Sequence, residues 1–124
     1  MAQVREIQTF SEFWAFYVGE HRHPTNRLLH YIGTSIGLVC ICLAPILQVW
    51  WLLAVAPVAG YGHAWFGHFA IEGNKPASFA YPGWSFIGDL KMLFYALTGR
   101  MSREVERLYG SVHPADDAPC LIEF

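Results

Sequence analysis

The sequence predicts an all-α integral membrane protein: a helical bundle built on a transmembrane helical hairpin, with amphipathic helices on its flanks. Three observations carry that prediction. Hydrophobic residues make up 54% of the chain and charged residues 15%, against roughly 45–50% and about 25% in soluble domains. From Leu28 to Ile71 there is no Asp, Glu, Lys or Arg, and the run is long enough for two crossings at roughly 20 residues each. Pro45–Gln48 lies near its middle, where a hairpin can turn. A soluble core hairpin would need other chain to cover both helices, and too few residues remain for that. One domain over residues 1–110 is expected, with 111–124 a disordered tail rich in Pro and Asp.

The elements follow in order. Ile7, Phe10, Phe13, Trp14, Phe16 and Tyr17 recur at mostly helical spacing, with Gln8, Ser11, Glu12 and Glu20 between them. This predicts an amphipathic helix from Ile7 to about Glu20, lying against the membrane or the hairpin. Gly19–Thr25 is a break, because Pro24 disfavours helix at His23, and Thr25 or Asn26 can cap the next helix. The first spanning helix is expected from about Asn26 to Ala44, with Gly33, Thr34, Ser35 and Gly37 as a small-residue packing face. Pro45 starts the turn, and Trp50 and Trp51 are interfacial anchors. The second helix covers about Trp50 to Ile71, with Pro57 and Gly60 permitting a kink.

The loop Glu72–Gly83 follows. A third helix, about Trp84 to Thr98, carries Asp89 and Lys91 and is short for a crossing. An interfacial or partly inserted position is expected for it, a third span being the alternative. Arg100–Tyr109 is a short charged helix. Arg5, Arg22 and Arg27 precede the hairpin, and Lys75, Lys91, Arg100, Arg103 and Arg107 follow it, while its turn has no basic residue. The positive-inside rule then puts both termini and the histidine-bearing end in the cytoplasm, at a bacterial inner membrane or, in a eukaryote, the endoplasmic reticulum. Met1–Glu6 lacks the apolar core and cleavage site of a signal peptide. The near-neutral charge offers no basic stripe for nucleic acid. Cys40, Cys42 and Cys120 read as apolar filler in a reducing compartment.

The histidines are the chemical signal. Folding the hairpin back near Pro45–Gln48 brings His30 and His68 level. Asn26 and His30 are four apart and share a face, as do His68 and Glu72; His63 is rotated off that face by roughly 140°. The convergent set is His21 or His23 from the break, Asn26 with His30, and His68 with Glu72. Several imidazoles with at most one carboxylate and an open position suit non-haem Fe(II), although Zn, Cu and Ni also accept imidazole. An ionisable residue inside a membrane segment is a functional candidate by default. The plainer readings are that His63 hydrogen-bonds a neighbouring helix and that His23 and His113 are solvated. Asp89 is either a partner of a ligand histidine or a charge on a helix face. Glu72 is ligand, base or partner of Arg27.

Four stretches carry a resemblance: HRHPTNRLLHYIGT from His21, GYGHAWFGHF from Gly60, EGNKPASF from Glu72 and YPGWSFIGD from Tyr81. Together and in that order they resemble the Mpo-type membrane dioxygenase family, named from a yeast protein of phytosphingosine breakdown, over roughly residues 7–110. The resemblance implies an Fe(II)-dependent dioxygenase, with O2 as co-substrate, that shortens 2-hydroxy fatty acids by one carbon in α-oxidation. The family's histidine pattern falls on His21, His30 and His68, which are thereby implied as metal ligands, with Pro24, Asn26, Gly33, Glu72 and Pro76 around them. Asn26, to orient a substrate carboxylate, and Glu72 are the catalytic candidates, with Arg22 or Arg27 to offset the charge. The expected partners are the 2-hydroxy fatty acid and membrane lipid. The residues by themselves leave three rivals open. These are a haem electron carrier using His30 and His68, a zinc hydrolase with Glu72 as base, and a non-catalytic membrane scaffold.

Overall fold

The computed structural model describes residues 6–123; Arg5, counted above among the flanking charges, lies outside them. Five α-helices follow one another: α1 (Phe10–Gly19), α2 (Pro24–Leu47), α3 (Leu52–Phe66), α4 (Pro82–Leu97) and α5 (Met101–Tyr109). A π-helical segment, Gly67–Glu72, continues α3, and a short 3-10 turn covers Ala77–Phe79. No strand occurs among the described residues, so the all-α reading is correct.

Helices α2 and α3 form a hairpin whose packing is close. A Cβ placed on Gly33 would lie 3.1 Å from the carbonyl oxygens of Ala59 and Gly60, and one on Gly37 would lie 3.2 Å from that of Ala56. The two glycines let the backbones approach to that distance. Both ends of α2 differ from the sequence reading. α2 begins at Pro24 rather than Asn26, because proline suits the first helical position, where its missing N–H costs nothing. It also continues through Pro45 to Leu47, since a proline in the last turn forfeits a single backbone hydrogen bond. The turn is made by Gln48 instead, left-handed at φ 55°, with the N–H groups of Gln48 and Val49 returning to the Ala44 carbonyl. Among the described residues, α2 is the one helix long and apolar enough by itself to cross a membrane.

The other helices form a second layer, in which α4 packs along α2 and carries α1 and α5. Thr9 caps α1, its hydroxyl accepting from the Glu12 N–H at 3.2 Å. Read from the sequence as lying on the membrane or the hairpin, α1 packs on α4 and α5 through Phe13, Trp14, Tyr17 and Val18. Phe13 meets Tyr81 and Trp84 at centroid distances of 5.5 and 5.6 Å. The two charges of α4 both have partners in this layer. Lys91 sits 4.4 Å over the Trp14 ring, and Asp89 points toward the histidines. On α5, Glu104 accepts from Trp14 Nε1 at 2.9 Å and the Tyr109 hydroxyl donates to the Ala15 carbonyl at 2.5 Å. Past α5 the chain folds back, with the Leu121 N–H donating to the Leu108 carbonyl at 2.8 Å.

Candidate metal centre

Three histidines from three separate elements meet where the two layers join. His21 follows the C-terminal turn of α1, its N–H bonded to the Val18 carbonyl. His30 stands in the second turn of α2, and His68 on the π-helical segment. Their residues are 0%, 4% and 2% exposed. The ring centroids are 4.3, 4.5 and 5.0 Å apart for the pairs His21–His30, His21–His68 and His30–His68. One ring nitrogen from each lies within 4.8 Å of the other two.

The outer nitrogens decide the chemistry of the inner ones. His21 Nδ1 lies 2.5 Å from the Tyr17 carbonyl, which can only accept, so Nδ1 carries the proton. His30 Nδ1 lies 3.1 Å from Asp89 Oδ1, which also accepts the Tyr17 hydroxyl. His68 Nδ1 lies 2.6 Å from Asn74 Oδ1. The Asn74 amide orientation is fixed because its Nδ2 donates to the Glu20 carbonyl and carboxylate at 3.0 and 2.8 Å. All three Nδ1 atoms therefore donate outward, and all three Nε2 atoms keep lone pairs. His21 Nε2 and His30 Nε2 are 3.1 Å apart, yet neither has a proton to give the other. Two ligands at right angles on a metal, each at roughly 2.0–2.1 Å, stand about 3 Å apart. Burial, followed by neighbouring His30 and His68, holds His21 well below the ordinary histidine pKa, so it stays neutral at pH 7. Burial pushes Asp89 upward, opposed by the Tyr17 hydrogen bond and by His21 and His68.

The other candidate residues sit differently. Glu72 Oε1 accepts from the His23 N–H at 2.7 Å and from Asn26 Nδ2 at 3.2 Å. Its carboxylate thus lies at the N-terminus of α2, where the helix dipole favours a negative charge. Glu72 groups with His23 and Asp116, apart from the three buried histidines. Asn26 is fully buried, and its Oδ1 has no partner. That oxygen lies against the π-helical segment, where a Cβ on Gly67 would come within 1.9 Å of it. Arg27 donates to the carbonyls of His21 and Arg22, both at 2.8 Å, and so ties down the backbone at His21. His63 is bonded to the Ala59 carbonyl at 2.7 Å. Two residues here were not singled out by sequence reasoning. Asn74 lies six residues beyond His68 and is turned back by Gly73 at φ 71°; that glycine was the available signal. Ser85, buried with an unpartnered Oγ, lines a cavity of ≈ 20 Å³ beside His30, His68 and Asp89.

The sequence matches the family model described as "2-hydroxy-palmitic acid dioxygenase Mpo1-like" over residues 7–101. The chain belongs to the Mpo1-like family. The match takes in α1 to α4 and all three buried histidines. No curated protein and no solved structure matches the chain.

Proposed function

We propose that this Mpo1-like chain is a membrane-embedded, Fe(II)-dependent dioxygenase that shortens 2-hydroxy fatty acids by one carbon, with O2 as co-substrate. The family description supplies the substrate class. The observation that carries the reading is the convergence of three neutral imidazole Nε2 lone pairs in a buried site. Such a set fits a divalent metal, because each Nδ1 is bonded outward and each Nε2 is left as an acceptor toward the others. His21, His30 and His68 hold the ion. Fe(II), when bound, supplies a redox centre for O2 and open positions for the hydroxyl and carboxylate oxygens of a 2-hydroxy acid.

The protein's own contribution is orientation. The Tyr17 carbonyl, Asp89 and Asn74 each hold one imidazole in the tautomer that presents Nε2, and Glu20 holds Asn74. Asn26 and Glu72 are positioning residues on this reading. They pin the first turn of α2, and with it His30, against the segment that carries His68. The haem alternative is disfavoured by geometry, since His21 Nε2 stands 3.1 Å from His30 Nε2, where a macrocycle held by His30 would have to lie.

Membrane embedding rests on the outer face of the hairpin. Leu28, Ile32, Ile36, Val39, Leu43 and Ile46 fall at helical spacing on α2, and all are exposed. An apolar stripe of that length facing outward needs lipid or a partner to cover it. Trp50 and Trp51, 60% and 67% exposed, sit at the turn, as interfacial anchors do. The basic residues that flank the hairpin, with none at its turn, support a cytoplasmic histidine end and cytoplasmic termini.

The test is direct. Anaerobically purified protein is loaded with Fe(II), given 2-hydroxyhexadecanoic acid and exposed to O2, and the acid one carbon shorter is sought by mass spectrometry. Its appearance, abolished by chelation and in His68→Ala, is the expected result. Turnover that requires zinc and proceeds without O2 would replace the dioxygenase with a hydrolase.

A further inference from the structure

A second cavity of ≈ 260 Å³ lies between α2, α3 and α4. Leu38, Ile41, Leu53, Ala56, Phe86 and Leu90 line most of its length. It exists because Gly33 and Gly37 bring α2 and α3 so close that the small residues along this side leave a trough, with α4 as its third wall. The trough adjoins the metal site. Tyr61 and Asp89 line both it and the small cavity that holds His30, His68 and the unpartnered Ser85 hydroxyl.

We propose that the trough is the acyl-chain site of the substrate, with the acid head at Ser85 and the hydrocarbon running from Thr34 toward Ile41 and Leu53. This rests on the function proposed above and adds where the substrate lies and which residues measure it. An apolar trough that abuts a small cavity holding a buried, unpartnered hydroxyl and two of the three histidines matches an amphiphile with one polar end. Asp89, the one charged residue lining the trough, is at the metal end, so the far end offers nothing to a polar ligand. From Gly33 to Ile41 the helix rises about 12 Å at 1.5 Å per residue. One leaflet of a hydrocarbon core of roughly 30 Å is about 15 Å deep, so the trough takes most of a chain of membrane-lipid length.

Two observables follow. Within the trough, each added methylene raises kcat/KM about fourfold, the affinity equivalent of burying one CH2, and the gain levels off once the chain reaches Ile41 and Leu53. Ser85→Ala raises KM for every chain length alike, by roughly 10–100-fold for a lost hydrogen bond to a charged group.

The deciding experiment uses 2-hydroxyhexadecanoic acid carrying a diazirine, either near its head or near its ω end. Full-length protein in nanodiscs is irradiated without O2, and the labelled residues are mapped by mass spectrometry. The head-proximal probe is expected on residues around Thr34 and Tyr61, and the ω-end probe around Ile41 and Leu53. Leu38→Trp, which plugs the middle of the trough, should move the ω-end label. It should also cut kcat/KM for the C16 acid at least tenfold relative to 2-hydroxyoctanoic acid. Labelling confined to the outer stripe of α2 or to lipid overturns the proposal, as does an equal loss for both acids in Leu38→Trp. Trough labelling without turnover of any 2-hydroxy acid keeps the acyl site and overturns the reaction. Turnover without trough labelling does the reverse.

Discussion

Replacing Asp89 by Asn separates what its charge does for the metal site from what its volume does for the fold. Asp89 Oδ1 accepts from His30 Nδ1 at 3.1 Å and from the Tyr17 hydroxyl. An amide of the same shape can face the imidazole in two ways. With its nitrogen toward His30, it drives the proton to Nε2 and removes the lone pair that would meet the metal. With its oxygen toward His30, it is a weaker acceptor than a carboxylate, and the imidazole becomes a poorer ligand. Either arrangement should weaken metal binding by roughly 10–100-fold, as outer partners of metal-bound histidines do. That corresponds to about 1.4–2.8 kcal/mol, at about 1.4 kcal/mol per factor of ten. Anaerobic competition for Fe(II) against a chromophoric chelator measures it, and Co(II) absorption gives an independent signature of the ligand set. Lys91→Met is the control, since Lys91 lies on the same helix but faces Trp14. It should alter the melting temperature without moving the Fe(II) dissociation constant more than twofold. If Asp89→Asn also leaves that constant within twofold while lowering the melting temperature, Asp89 merely holds α4 in place and the tautomer argument fails.

Three further outcomes are expected. Asn74→Ala removes the acceptor of His68 Nδ1 and should cost roughly 10–100-fold in Fe(II) affinity, read by the same competition. Gly67→Ala puts a methyl within 1.9 Å of Asn26 Oδ1; thermal unfolding should register about 1–3 kcal/mol of overpacking. The Arg107 guanidinium, aided by Trp14, holds the Glu104 carboxyl below its ordinary range, against the opposing effect of burial. The folded pKa thus lies below the unfolded value of about 4.3. The stability this contributes is present above that value and is lost as pH falls through the folded pKa. Solvent screening keeps it under about 1 kcal/mol. Wild type and Glu104→Gln should therefore differ in melting temperature at pH 7 and converge as pH falls through the folded pKa.

What the sequence revealed and what it hid follow from the range of each interaction. An uncharged run with a turn at its centre makes residues on either side come level, so the approach of His30 to His68 could be read from the hairpin alone. The choice between His21 and His23 could not be made from spacing. It depends on α1 ending so that the Tyr17 carbonyl meets His21 Nδ1, whereas His23, the residue before Pro24, turns its backbone N–H to Glu72. The role of Asp89 was equally closed, because its partners lie 59 and 72 residues away. Aromatic residues misdirected the reading of α1. Phe, Trp and Tyr at helical spacing describe an interfacial helix and an aromatic core equally well, and only α4 and α5 show which.

Glu72 and Asn26 show how sharing a helix face can mislead about chemistry. Each stands four residues from a buried histidine, and the spacing invited both into one site. Glu72 is the last residue before the left-handed Gly73, and its carboxylate reaches the start of α2. The partner that holds His68 is Asn74, on the far side of the same glycine. Gly73 therefore separates two duties within three residues, one anchoring α2 and the other orienting an imidazole. A substitution at Glu72 should accordingly act through the placement of His30, and one at Asn74 through the tautomer of His68.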